Sequence, residues 1–181
     1  MRSLAELHYQ KARSYLTPDS SACTFIRILL ESVALNEFSM SHHGGHSIAP
    51  KLLQESLEHL LETRKGLAVC QAELEQSDTS GTDTGEDDSE TSTVDIDPMV
   101  LELKNLLPIL ESRLNNVLKD MTKFSSQRPG RNTDLVKRMY MVSLRGTTQT
   151  LGLVTKVDVK TKCKNLLKVL VEVANIREGY T

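Results

Sequence analysis

The sequence predicts an all-α chain of antiparallel helical hairpins, interrupted by a disordered acidic tract. Three observations lead there. Apolar residues recur at helical spacing, most clearly Leu103, Leu107, Leu110, Leu114, Val117 and Met121, whose separations of 4, 3, 4, 3 and 4 put them on one face. Aromatics make up only 4% of the 181 residues and Trp is absent, so the core is expected to be aliphatic and methionine-rich. Residues 77–97 contain eight Asp or Glu, no Lys or Arg and no aromatic side chain, too little apolar surface to offset the entropy of ordering.

The elements follow in order. A first helix is predicted over residues 2–16, with Leu4, Leu7, His8, Ala12, Tyr15 and Leu16 as its buried side. Pro18 ends it, because the residue before a proline is pushed out of helical geometry. A second helix is expected over 21–38, carrying Phe25, Ile28, Leu29, Val33 and Leu35; Ile26, Leu30 and Ala34 fill its other faces, as in a helix buried on most sides. His42, His43 and His46 flank two glycines, but no fourth ligand sits at a recognisable spacing, so a solvated loop is expected and no metal. Pro50 opens a long helix to about residue 76, with Leu53, Leu57, Leu60, Leu67 and Leu74 on its seam and Gly66 as a mild interruption.

After the acidic tract, Asp97 and Pro98 read as an N-cap and a first helical residue, and Pro108 is expected to kink the helix that follows. The helices on either side of the tract form a hairpin with a lengthened connection, which costs only ~0.6 kcal/mol per doubling of its length. Residues 125–132 read as a linker. A short helix is expected over 135–144 and a weakly alternating extended segment over 149–159. The last helix is expected over 160–177, with Cys163, Leu166, Leu167, Leu170, Val171 and Ala174 on one side. The expected organisation is therefore residues 1–76 as N-terminal helices, 77–97 as the acidic tract, 98–124 as an amphipathic helix packing on the N-terminal helices, and 125–181 as a basic, poorly defined region.

The net charge of −2 hides a strong asymmetry: residues 1–76 carry −2, residues 77–97 carry −8 and residues 98–181 carry +8. Such blocks imply charged partners, or attraction between tract and tail. The five Lys at 156, 160, 162, 164 and 168 read as a solvated basic face, since no aromatic platform for bases accompanies them, and direct nucleic-acid binding is not expected. Cys23, Cys70 and Cys163 show no paired spacing and read as free thiols in a reducing compartment. No apolar run approaches the ~20 residues of a membrane span, so a soluble intracellular protein is expected. There is no phosphate-binding glycine loop, nucleophile elbow, HExxH or CxxC, and acids in a flexible tract lack the fixed geometry of acid–base catalysis; neither an enzyme nor a cofactor is expected.

Two stretches carry a family resemblance. Ala5, Glu6, His8 and Tyr9 resemble the opening of the modified tetratricopeptide repeat of the nuclear autoantigenic sperm protein family of histone chaperones. Residues 99–114, with Leu106-Leu107-Pro108, resemble that family's helix after its acidic region. The resemblance covers about half of the chain, chiefly residues 3–16 and 50–121, and departs where Lys11-Ala12-Arg13-Ser14 stands for the family's Leu-Gly-Leu-Ala. It implies tetratricopeptide-like hairpins, a nuclear location, core or linker histones as partners, and binding and release during chromatin assembly. In that reading Glu86, Asp87, Asp88 and Glu90 neutralise basic partners, while Glu102 and Glu111 act as exposed recognition residues on the helix after Pro98. The competing reading is a helical scaffold or adaptor that binds a partner helix or self-associates through the Leu103–Met121 face. A third has residues 18–49 and 125–181 unable to fold.

Overall fold

The computed structural model describes residues 4–42, 48–79, 97–127, 132–147 and 155–179. They form helices α1 (Leu4–Tyr15), α2 (Ala22–His42), α3 (Ala49–Thr79), α4 (Pro98–Gln127), α5 (Thr133–Thr147) and α6 (Lys156–Glu178). The all-α expectation holds among these residues. Both stretches that one reading left unfolded supply helices: α2 comes from the first, α5 and α6 from the second.

Cross-helix contacts fix the directions. Cys23 meets Cys70 and Asn36 meets Ser56, so α2 and α3 are antiparallel. Their backbones approach closely at Gly66, where an added Cβ would lie 2.8 Å from Ile26 Cγ1 and 3.1 Å from the Ala22 carbonyl oxygen. The glycine that reads as an interruption is therefore a packing residue. α4 runs alongside α2, with Glu102 paired to Arg27 and the Arg113 guanidinium donating to the Leu30 carbonyl. α5 folds back along α4, where Ser143 Oγ, fully buried, donates to Asn115 Oδ1 at 2.6 Å.

α6 closes the arrangement. It packs on α3, α4 and α5, antiparallel to α3 through Lys156–Ser77, Cys163–Leu67 and Arg177–Glu58. Helices α3 to α6 thus form an up-down-up-down ring with α2 outside it, against α3 and α4. An open solenoid buries each repeat only against its neighbours. Here the return of α6 to α3 lets few helices enclose one core.

That core is aliphatic as predicted but not methionine-rich, Met139 being the one methionine buried among the described residues. Leu53, Leu57, Leu60, Leu67 and Leu74 of α3 and Leu103, Leu107, Leu110 and Leu114 of α4 are all essentially inaccessible. The 4-3-4-3-4 seam is consumed inside the chain, so self-association through the Leu103–Met121 face would require opening the core. Asp97 caps α4 by accepting from Met99 N–H at 2.9 Å, as its sequence position predicts. The helix runs on through Pro108, which is exposed.

Three boundaries and one face differ from expectation. Residues 77–79 extend α3, and residues 80–96 of the acidic tract lie outside the described residues. Residues 156–159, read as extended, are the first turn of α6, because Thr155 and Asp158 form a capping box there. The linker residues 125–127 extend α4, and α5 starts at Thr133, directly after the linker and two residues before the expected helix. On α1 the predicted buried side faces out: Leu4 and Tyr15 are each 75% exposed and Leu7 is 56% exposed. The opposite side is anchored instead, with Arg13 bound to Glu62 at 2.6 Å and to His59 Nδ1 at 3.1 Å on α3. Two directed polar contacts outweigh a short apolar stripe in setting the rotation of a helix that packs chiefly on α2.

Candidate functional site

A groove lies between α5 and α6. Its wider part, about 510 Å³, is lined by Arg138, Met141, Val142, Arg145, Glu172, Asn175 and Ile176. The adjoining part, about 370 Å³, shares Val142, Arg145 and Glu172 and adds Gly146, Asn165, Lys168 and Val169. Helical periodicity builds both walls. On α5, Arg138, Met141 and Arg145 stand at i, i+3 and i+7; on α6, Asn165, Lys168, Glu172 and Asn175 follow at spacings of 3, 4 and 3. Val169 and Ile176 are buried beneath, and Val142 is half-buried.

Gly146 sets the depth at one end. An added Cβ there would lie 2.1 Å from Val169 Cγ2, so only glycine lets the end of α5 approach α6 this closely. Met141 is 52% exposed between two arginines, an apolar side chain on an otherwise polar face. The groove has the composition of a recognition surface: an apolar floor, two amides, three cations and one carboxylate. Arg138 offers a guanidinium fork suited to carboxylates, and Lys168 adds an exposed ammonium group; Arg145 lines the groove beside them. No nucleophile paired with a base lines it.

The residues singled out from sequence lie elsewhere. Glu86, Asp87, Asp88 and Glu90 fall outside the described residues. Glu102 is partly exposed and already paired with Arg27. Glu111 is not the exposed residue expected of it. It is 8% exposed and paired with Lys162, itself 6% exposed, across the α4–α6 contact. The cause is position: Glu111 directly follows the buried Leu110 and so lies at the edge of the seam, where α6 covers it. Lys162 is likewise no part of a solvated basic face, whereas Lys164 and Lys168 are exposed.

Of the three imidazoles, His42 stacks on Phe38 at 3.9 Å, and His43 and His46 fall outside the described residues. Among the described residues, no three His, Cys, Asp or Glu are grouped to hold a metal. A smaller cavity of about 220 Å³ lies where α1, α2 and α3 meet, lined by Tyr9, Arg13, Ser32, Asn36, Glu55 and His59. Burial, with the Arg13 charge second, holds His59 below the usual histidine pKa.

All three cysteines are free and buried. Cys23 and Cys70, 47 positions apart in sequence, meet at 3.9 Å between sulfurs. Their hydrogen bond, ahead of burial, raises the Cys70 thiol, and the same bond lowers Cys23. Burial pushes Cys163 up to about 12.

Comparison with known proteins places this scaffold. The family described as "Erythroid differentiation-related factor 1-like, TPR repeats" matches residues 1–176. The chain belongs to that tetratricopeptide-repeat family. Erythroid differentiation-related factor 1 of Mus musculus is 30% identical over 158 residues, covering 81% of this chain and 12% of the relative. Its counterparts in Pongo abelii and Homo sapiens are 28% and 27% identical over 173 residues, each covering 87% of this chain and 14% of the relative. The chain thus spans about one-eighth of the length of these relatives. No solved structure matches it.

This membership overturns the resemblance to the nuclear autoantigenic sperm protein family. The tetratricopeptide repeat was rightly read and its family was not. Ala5, Glu6, His8, Tyr9 and the Leu-Leu-Pro of α4 are short patterns that helix packing by itself produces in many repeat proteins. Among the described residues, no helix is long and apolar enough to cross a membrane.

Proposed function

We propose that this chain is a non-catalytic scaffold or adaptor module that captures a segment of another protein in the α5–α6 groove. The observation that carries the proposal is the groove itself: two adjoining hollows with Val142, Val169 and Ile176 among a mainly polar lining, set between two helices of a tetratricopeptide-type core. Tetratricopeptide arrays present such surfaces to partners. Met141 is the apolar anchor point, and the groove walls select by charge.

A random peptide library displayed against the folded chain tests this. Recovered peptides that bind the native chain and fail against Met141→Glu support the module. Peptides indifferent to Met141→Glu, or a selection that enriches nothing, sink it. Met141 is exposed, so the substitution leaves the core intact.

A second reading keeps histones as partners. Its support is the run of eight acids over residues 77–97, which would neutralise a basic protein in the nucleus whatever the family. Glu86, Asp87, Asp88 and Glu90 would act electrostatically. Replacing them with Gln or Ser should then weaken histone binding most at low salt, and unchanged affinity across salt removes them from the mechanism.

A further inference from the structure

We propose that Cys23 and Cys70 are a thiol pair that a hydroperoxide converts to a reversible disulfide, fastening α2 to α3. The site lies apart from the α5–α6 groove and is independent of what the groove binds.

Buried cysteines usually act as small apolar side chains. This pair differs in where it stands. The two sulfurs, 3.9 Å apart, face each other across two antiparallel helices. A disulfide needs Cβ atoms only ~3.5–4.5 Å apart, a distance that helices reach where small residues let their backbones meet. Gly66, one turn from Cys70, is such a place, facing Ala22 and Ile26 of α2. With a disulfide bond of ~2.05 Å, the sulfurs have just under ~2 Å left to close. The third thiol is directed elsewhere: Cys163 of α6 donates to the Leu67 carbonyl at 3.7 Å.

The two thiols are not equivalent. Cys23 retains 7% exposure and Cys70 none, so an oxidant from solvent reaches Cys23 first. Cys23 also lies in the first turn of α2, whose N-terminal end favours a thiolate. The hydrogen bond from Cys70 lowers the Cys23 pKa, with Arg27 adding to it, against burial and the charges of Glu102 and Glu73. The Cys23 thiolate attacks one peroxide oxygen. A sulfur–oxygen bond forms, the oxygen–oxygen bond breaks, and the departing oxyanion takes up the proton that Cys23 released. The Cys70 sulfur then attacks the Cys23 sulfur. The sulfur–sulfur bond forms, the sulfur–oxygen bond breaks, and the hydroxide leaves as water with the Cys70 proton. Two thiols are oxidised and one hydroperoxide is reduced; hydrogen peroxide yields two waters. A dithiol reductant reverses the bond through a mixed disulfide.

Position gives this bond its effect. Cys23 is the second residue of α2, far from the connection that joins the end of α2 to the start of α3. The disulfide therefore closes the hairpin at its open end, linking residues 47 positions apart. It ties down the helix that packs on the α3–α6 ring from outside, and it constrains the unfolded chain.

The test treats the whole chain with hydrogen peroxide, alkylates the remaining thiols in denaturant, and maps the non-reduced peptides by mass spectrometry. The expected product has lost two hydrogens, links Cys23 to Cys70, and carries an alkyl group on Cys163 alone. Its melting temperature should rise by at least ~5 °C and return with dithiothreitol. Cys70→Ala should stop at a Cys23 sulfenic acid that dimedone traps, and Cys163→Ala should crosslink as the native chain does. Cys23→Ala should give neither adduct nor crosslink; dimedone on Cys70 there would overturn the order of attack. A Cys70–Cys163 link, a link between chains, or a native chain whose three thiols all stay free would overturn the proposal. So would an unchanged or lowered melting temperature, because the bond would then fasten nothing. The readings on the unsubstituted chain stand whether or not the variants fold.

Discussion

The Glu111–Lys162 pair gives the most demanding test of how this core is held together. The two side chains join α4 to α6 with 8% and 6% of their surfaces exposed. Two charges this deep gain little over an apolar pair, because desolvation consumes most of their attraction. Removing one partner takes the opposite charge of this pair away from the other. Glu111→Leu leaves a buried ammonium and Lys162→Met a buried carboxylate, and each should cost about 3–5 kcal/mol. The double variant should recover nearly all of that, ending within about 1 kcal/mol of the native chain or above it. Urea unfolding followed by far-UV circular dichroism reads all four corners of the cycle. With a slope of about 2–3 kcal/mol per molar, each single variant should lower the midpoint by roughly 1–2 M and the double should restore it. Losses under about 1 kcal/mol in both singles would mean that the pair is hydrated. A double variant that loses the sum of the singles would mean that the two groups do not sense each other.

Other outcomes follow from the same packing. Gly66→Ala should gain up to about 1 kcal/mol in helix propensity, yet lower stability by about 1–3 kcal/mol net, because its new methyl meets Ile26 and the Ala22 carbonyl; a raised melting temperature would refute that close approach. Leu107→Ala should cost about 2–5 kcal/mol in denaturant unfolding, whereas Leu7→Ser on the outward face of α1 should stay within about 0.5 kcal/mol. Acidification should weaken the α1 anchorage: His59 has a lowered pKa when folded, so the unfolded chain takes up its proton first. Stability is then full above pH ~6.5 and falls as pH drops from there towards the folded value. Unfolding measured from pH 7.5 to 5 should show this slope in the native chain and a flatter one in His59→Asn; identical slopes would remove His59 as the source. Finally, with its pKa pushed up to about 12, Cys163 should resist alkylation at pH 8 until the chain unfolds, and rapid native-state labelling by mass spectrometry would contradict its burial.

What the sequence by itself determined is local. The 4-3-4-3-4 repeat, the Asp97-Pro98 start and the leucines of residues 53–74 each signal a helix and its apolar face within a few turns, and all three were legible. The repeat class was legible too. The particular family was not, because the motif residues are those that any packed hairpin favours. What only the tertiary structure decided involves residues far apart in the chain. Whether Leu4, Leu7 and Tyr15 face inward depends on Arg13 reaching Glu62. The burial of Glu111 depends on α6 returning across α4 to bring Lys162 within reach. Cys23 and Cys70 meet only because α2 and α3 pair at Gly66. The groove shows the same division. The i, i+3, i+7 spacing of Arg138, Met141 and Arg145 is written in the sequence, and an exposed methionine on a polar face was the available signal. Its opposite wall, and the approach of Gly146 to Val169 that sets its depth, exist only after α6 packs on α5. Periodicity states which face of a helix avoids water; which neighbour covers that face is decided by contacts that have no period in the sequence.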